Sequence, residues 1–199
     1  MFDLQQFENS PIDSITYIIS NPKNNKAIVI DPGTENDIRI TDFLNEKDLN
    51  LEFIFLTHEH FDHILGVNYL RNEFPNVKVI SSQKTSDRLP NPKKNLAIFH
   101  NQINLVVQEA DVIIEEGKLE MIGLDFEVFQ TPGHTDSSVS LKHNDSFFSG
   151  DFLLKGTRIV TNLPTGSKRQ YQESIEKYNE MLTGLMIYPG HGEEYNYNQ

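Results

Sequence analysis

The sequence predicts an α+β fold of one domain over residues 1–199, with two β-sheets face to face and helices outside. Three observations carry this. Short runs rich in Ile, Val and Phe recur along the chain, which is the patterning of buried or half-buried strands. Helical periodicity is confined to a few segments that flank these runs. The pattern also falls into two similar halves, and 199 residues with 37% hydrophobic content suffice for one well-buried core.

In the first half, Ile15-Thr16-Tyr17-Ile18-Ile19 and Ala27-Ile28-Val29-Ile30 read as strands. A helix is expected from Asp37 to Lys47, then a strand over Leu51–Leu56, a helix from Ile64 to Phe74 and a strand over Val77–Ile80. Residues 82–111 are weakly patterned, with Pro90 and Pro92 marking a loop. In the second half, strands are expected at Val112–Ile114, Lys118–Ile122, Leu124–Gln130, Ser138–His143 and Ser146–Ser149. A helix from Lys168 to Leu182 places Tyr171, Ile175, Tyr178 and Leu182 on one face, and a last strand covers Leu185–Tyr188.

Composition excludes several functions. A formal net charge of -12 argues against a nucleic-acid partner, because phosphate binding depends on clustered Lys and Arg. No stretch approaches the ~20 apolar residues of a membrane span. The N-terminal Met1-Phe2-Asp3-Leu4-Gln5-Gln6-Phe7-Glu8 lacks a basic region and an apolar run, so no signal peptide is expected and the location is read as cytoplasmic. With no cysteine, a metal site must be built from nitrogen and oxygen.

Chemistry concentrates in His58-Glu59-His60-Phe61-Asp62-His63, between an expected strand and an expected helix. Three imidazoles and a carboxylate so close together are the usual ligands of zinc and iron at catalytic sites. On extended backbone His58 and His60 point to one side, so both can reach one ion. Asp62 and His63 follow where the chain turns into the helix, with capping as the alternative role for Asp62. Three further segments place a ligand-type residue in a tight turn after a strand: Thr131-Pro132-Gly133-His134-Thr135, Ser149-Gly150-Asp151 and Pro189-Gly190-His191-Gly192. Asp31, ahead of Pro32-Gly33, reads as support for a ligand histidine together with Thr57, not as a ligand. His100 and His143 match no motif and are read as structural.

This ordered set resembles the metallo-β-lactamase-fold superfamily, from Ile30-Asp31-Pro32-Gly33 to Pro189-Gly190-His191-Gly192. The resemblance implies an αββα four-layer sandwich with a metal site at one edge of its sheets. It implies that His58, His60 and His134 hold a first metal, that Asp62, His63 and His191 hold a second, and that Asp151 bridges them. Two Zn2+ per chain are expected, with iron or manganese as other candidates. Within the superfamily the chain looks most like the short glyoxalase II-like (hydroxyacylglutathione hydrolase-like) enzymes, whose pattern includes Thr131-Pro132-Gly133-His134-Thr135.

Metal-bound hydroxide oriented by Asp62 is then expected to attack a small thioester such as S-lactoylglutathione. A thiolate leaves without strong protonation, which suits a motif set with no obvious general acid. The alternative is a persulfide dioxygenase with a single iron on the positions matching His58, His134 and Asp151; a nuclease or lactam hydrolase fits less well. The chain also departs from the glyoxalase II pattern. It has Val160 where Lys or Arg is usual, leaving Lys155 and Arg158 as the nearest cations in sequence, and eight residues follow His191 in place of a helical domain.

Overall fold

The computed structural model describes residues 2–198. The first sheet holds β1 (Asp3–Glu8), β2 (Ile15–Asn21), β3 (Lys26–Ile30), β4 (Asn50–Phe55), β5 (Lys78–Ser81) and β6 (Val112–Ile113), hydrogen-bonded in that order. The second holds β7 (Gly117–Met121), β8 (Leu124–Gln130), β9 (Val139–His143), β10 (Ser146–Gly150), β11 (Met186–Pro189) and β12 (Tyr195–Asn196), again in sequence order. Strand direction decides where helices are needed. Parallel neighbours require a crossover, and antiparallel neighbours only a turn. Accordingly α1 (Ile38–Glu46) joins the parallel pair β3–β4, α2 (Phe61–Ile64) and α3 (Val67–Glu73) join β4–β5, and α5 (Lys168–Leu182) joins β10–β11. The parallel pair β5–β6 is joined by the weakly patterned residues 82–111, which contain only the short α4 (Gln83–Ser86) and a 3-10 turn over Ala97–His100.

Alternation along each strand sorts side chains into layers. Ile15, Tyr17, Ile19, Ile28 and Ile30 face the second sheet and pack with Met121, Phe126, Val128, Leu141 and Phe148. Their neighbours Ile18, Ala27 and Val29 face the other way, onto Ile40 and Leu44 of α1 and Val67 and Leu70 of α3. Phe129, Phe147 and Ile187 on the far side of the second sheet pack against Tyr178 and Leu182 of α5. These three cores are the αββα layering. Local chemistry sets the helix starts: the Asp37 carboxylate accepts from the Arg39 amide, and the Ser167 hydroxyl from the Gln170 amide. No helix among the described residues is long and apolar enough to cross a membrane.

Several elements differ from the sequence reading. The polar segment Asp3–Glu8 forms an edge strand, paired with β2 from Asp3↔Ser20 to Glu8↔Ile15. An edge exposes one side to water, so it carries few of the apolar residues that announce a strand. The helix expected over 64–74 begins earlier, at Phe61, and breaks at Leu65–Gly66. There the Gly66 amide leaves the helix to donate to the Pro32 carbonyl at 2.7 Å. His60, without a side-chain cap bond, takes the N-cap position, so Asp62 lies inside the first turn and is not the cap.

Candidate metal centre

The topology brings strand ends together. β8, β10 and β11 run in one direction in the second sheet, so His134, Asp151 and His191, which follow them, emerge at one edge. β4 ends at the same edge of the first sheet, where the Val139 amide donates to the Thr57 carbonyl at 2.9 Å. His58, His60, Asp62, His63, His134 and Asp151 are all buried, and His191 is partly exposed.

Two groups of ligand atoms result. His58, His60 and His134 offer one atom each within 4.8 Å of one another, and Asp62, His63 and His191 do the same. Asp151 lies between the groups. Its Oδ2 is 3.3 Å from His134 Nε2 and 3.6 Å from His191 Nε2, and its Oδ1 is 3.5 Å from His63 Nε2.

Hydrogen bonds at the back of the rings decide which nitrogens face inward. The Asp31 carboxylate accepts from the Thr57 amide (2.8 Å), the Thr57 hydroxyl (2.6 Å) and His63 Nδ1 (3.0 Å). Because the Thr57 proton is committed to Asp31, its oxygen accepts from His58 Nδ1 at 3.0 Å. The Val160 carbonyl can only accept, so His134 Nδ1 donates to it at 2.8 Å. In all three rings Nε2 is therefore the nitrogen aimed at the centre, and it carries the lone pair when the ring is neutral. Asp31 can also be grouped with His58 and His63 by distance alone, but its oxygens are already engaged behind the rings.

Charge in the centre is divided. Burial, reinforced by the neighbouring imidazoles, pushes His58 well below the usual histidine range and His60 down to about 3. Both are neutral, as metal ligands must be. Burial also opposes charge on His63 and on Asp62, but each is the other's counter-ion. Asp62, Asp151 and Asp31 lift His63 to about 10, while His63 and His191 hold Asp62 well below the usual carboxylate range. His191 is raised against its burial by Asp62 and Asp151.

The fit to a cation can be tested on unsatisfied atoms. Leaving a buried polar atom without a partner costs about 1–3 kcal/mol, and native interiors avoid it. Among the described residues four buried side-chain atoms lack a partner, and three of them are here: His58 Nε2, His63 Nε2 and Asp151 Oδ1. His134 Nε2 and His60 Nδ1 also converge, 2.9 Å apart. Lone pairs from five imidazoles and two carboxylates, a set of formal charge -2, are suited to two divalent ions.

Close approach at this edge explains one glycine. A Cβ on Gly190 would fall on Asp151 Oδ1 and meet His63 Cε1 at 2.9 Å. The backbone cannot retreat, since the Gly190 amide donates to Gly150 and its carbonyl accepts from Ile15. Gly190→Ala is expected to weaken metal binding by at least about tenfold, read by chelator competition, because it displaces two ligands at once.

Sequence reasoning missed three features. Glu59, fully buried between His58 and His60, is held by Arg88 at 2.8 Å and by the Ser137 hydroxyl, and Arg88 also holds Asp136 at 2.6 Å. Arg88 thus clasps the His58–His60 segment to the loop carrying His134. The second is His100, which is not merely structural: it stacks on Phe61 with centroids 4.3 Å apart and lines a cavity of about 240 Å³ beside His60, Asp62, His134 and Asp151. The third is the cavity wall itself, largely apolar. Neither Lys155 nor Arg158 lines it, and Lys155 pairs with Glu193 at the surface. No sequence motif marks these residues; each acquires its role from a distant segment. His143, by contrast, bonds the Asp125 carbonyl away from the site.

The geometry agrees with what the chain is similar to. It is 37% identical over 187 residues to hydroxyacylglutathione hydrolase 1 of Vibrio vulnificus (strain YJ016), covering 92% of this chain and 64% of that relative. The chain thus spans less than two thirds of that relative's length. The crystal structure of the BLEG-1 B3 metallo-β-lactamase superposes with a TM-score of 0.89 at 29% identity, over 97% of this chain and 93% of that one. ETHE1 from Myxococcus xanthus superposes with a TM-score of 0.79 at 28% identity, over 96% and 76%. Residues 12–191 match the model of the metallo-β-lactamase superfamily, and the chain belongs to that family.

Proposed function

We propose that this protein is a metal-dependent hydrolase of a small thioester. The observation that carries the proposal is the convergence of two complete ligand groups on the two sides of Asp151. His58, His60 and His134 would hold one ion, and Asp62, His63 and His191 the second, with Zn2+ the first candidate for both. When bound, such ions lower the pKa of water to about 7 and give a carbonyl oxygen a positive partner.

The chain supplies the rest. Asp31, Thr57 and the Val160 carbonyl lock three rings so that no reorganisation is needed at the moment of reaction. Asp62, ionised by its histidine neighbours, accepts the hydrogen bond that orients the attacking water. Outside the ligand set, His100 is the one titratable residue among those lining the cavity. A thiolate, with a free pKa near 8.5, leaves without a strong acid beside it, whereas an amine does not. The 37% identity to a hydroxyacylglutathione hydrolase supports a thioester, and the protein is read as cytoplasmic.

Two other readings have support. The alternative, a persulfide dioxygenase with a single iron on His58, His134 and Asp151, draws some support from the likeness to ETHE1 but leaves the second group without a role. The likeness to a B3 metallo-β-lactamase brings lactams into the assay, where His100 would have to protonate the leaving nitrogen. Elemental analysis of protein purified without added metal decides between them. About two ions per chain with release of free thiol from a thioester panel is the expected result. About one iron per chain, with oxygen consumed on a persulfide, would overturn the proposal, as would turnover of lactams alone.

A further inference from the structure

The wall of the metal cavity carries information about the substrate. Ile12, Phe61, Leu96, Phe99, Val160 and Leu163 make up most of the lining, and none of the described residues lining it is Lys or Arg. Phe99 is 73% exposed, Val160 47% and Leu163 36%, so apolar surface lies open beside the ligand carboxylates of Asp62 and Asp151. On a chain with net charge -12, that is a poor place for an anionic group and a good one for an apolar group.

The turn that presents Phe99 is held in place. Its two flanking residues, Leu96 (φ 65°) and Asn101 (φ 61°), are left-handed, a conformation a leucine rarely adopts. Such backbone persists where the surroundings over-determine it, and it clusters at ligand clamps. Here buried Asn95 does the holding. Its side chain donates to the Leu89 carbonyl (3.0 Å) and accepts from the Ala97 amide (3.1 Å), and its own carbonyl accepts from the Phe61 amide (2.9 Å). Phe61 sits between His60 and Asp62, so the turn is registered directly to the ligand segment. Leu163 lines the same cavity from the loop before α5.

We propose that Phe99 and Leu163 grip an uncharged, apolar arm of the substrate, alkyl or aryl, while the thioester carbonyl lies at the metal centre. This rests on the thioesterase reading and narrows it: the preferred substrates are apolar thioesters, not thioesters of an anionic peptide thiol. The apolar group can sit on the acyl or on the thiol side of the sulfur, and the test separates the two.

The test uses the metal-loaded protein and four thioesters, pairing a lactoyl or hexanoyl acyl group with glutathione or benzyl mercaptan as the thiol. The compounds carrying an apolar group on the gripped side of the sulfur are expected to exceed S-lactoylglutathione in kcat/KM by about tenfold or more, through KM. Comparing S-hexanoylglutathione with the lactoyl thioester of benzyl mercaptan shows which side of the sulfur is gripped. Phe99→Ala and Leu163→Ala are each expected to lower that selectivity about tenfold, while Ile38→Ala, at an exposed apolar site on α1, leaves it unaltered. Exposed Phe99 can be truncated without threatening the core. S-lactoylglutathione as the best substrate, or selectivity unmoved by both variants, would overturn the proposal. A change of oligomeric state in Phe99→Ala with KM intact would also overturn it, marking the residue as a contact between copies. If none of the four is hydrolysed, the thioesterase reading falls. Calorimetric binding of uncleavable thioether analogues then decides whether the cavity prefers an apolar arm.

Discussion

In Asp151→Ala, thioester hydrolysis is expected to fall by more than about a hundredfold, with metal content dropping below two ions per chain and the circular dichroism spectrum retained. Removing a group that merely supports a ligand already costs about 10–100-fold in affinity or activity, and Asp151 reaches both ligand groups directly. Its loss leaves no carboxylate shared between His134 of the first group and His63 and His191 of the second. The fold is expected to survive because Asp151 sits past the end of β10, where Phe147, Phe148 and Phe152 make the apolar contacts. His58→Ala carries the same expectation for the first group. Full activity in either variant would refute the site assignment.

Arg88→Met is expected to destabilise the protein by about 3 kcal/mol, visible as a lower urea midpoint without a change in slope. The cause is the charge left behind. Glu59 is fully buried, and without Arg88 it keeps only the Ser137 hydroxyl as a side-chain partner. Breaking one side of such a pair costs more than removing both, so Glu59→Leu combined with Arg88→Met is expected to recover part of the loss. If the two losses simply add, Arg88 is not the counter-ion of Glu59. Because the same guanidinium holds Asp136, two residues beyond His134, the single variant is also expected to weaken metal retention.

The strands that build the interior were legible because burial writes itself into composition. Ile15 to Ile19 and Ala27 to Ile30 need apolar side chains on both faces, one toward each core, and the resulting runs are unambiguous. α5 was legible from the spacing of Tyr171, Ile175, Tyr178 and Leu182, and α1 was expected from Asp37; the folded chain shows Asp37 and Ser167 as their caps. Edge strand β1 was not, because half of its surface faces water. The break at Gly66 depends on a carbonyl 34 residues earlier in the chain, a partner that no local pattern reveals.

By itself the sequence determined the chemistry available to this protein. Donor types and their spacing are local properties: His58 to His63 must stay close together however the rest folds, and a chain without cysteine can offer a metal only nitrogen and oxygen. The tertiary structure decided how those donors are used. Strand direction placed His134, Asp151 and His191 at one edge, Asp31 and the Val160 carbonyl chose which ring nitrogens face inward, and Arg88 tied two ligand segments together. The same structure set Phe99, His100 and Leu163 around the site, residues with no signature of their own. Ligand identity is carried by single side chains, whereas tautomer, charge and cavity shape arise from contacts between segments far apart in the chain, and those exist only once it has folded.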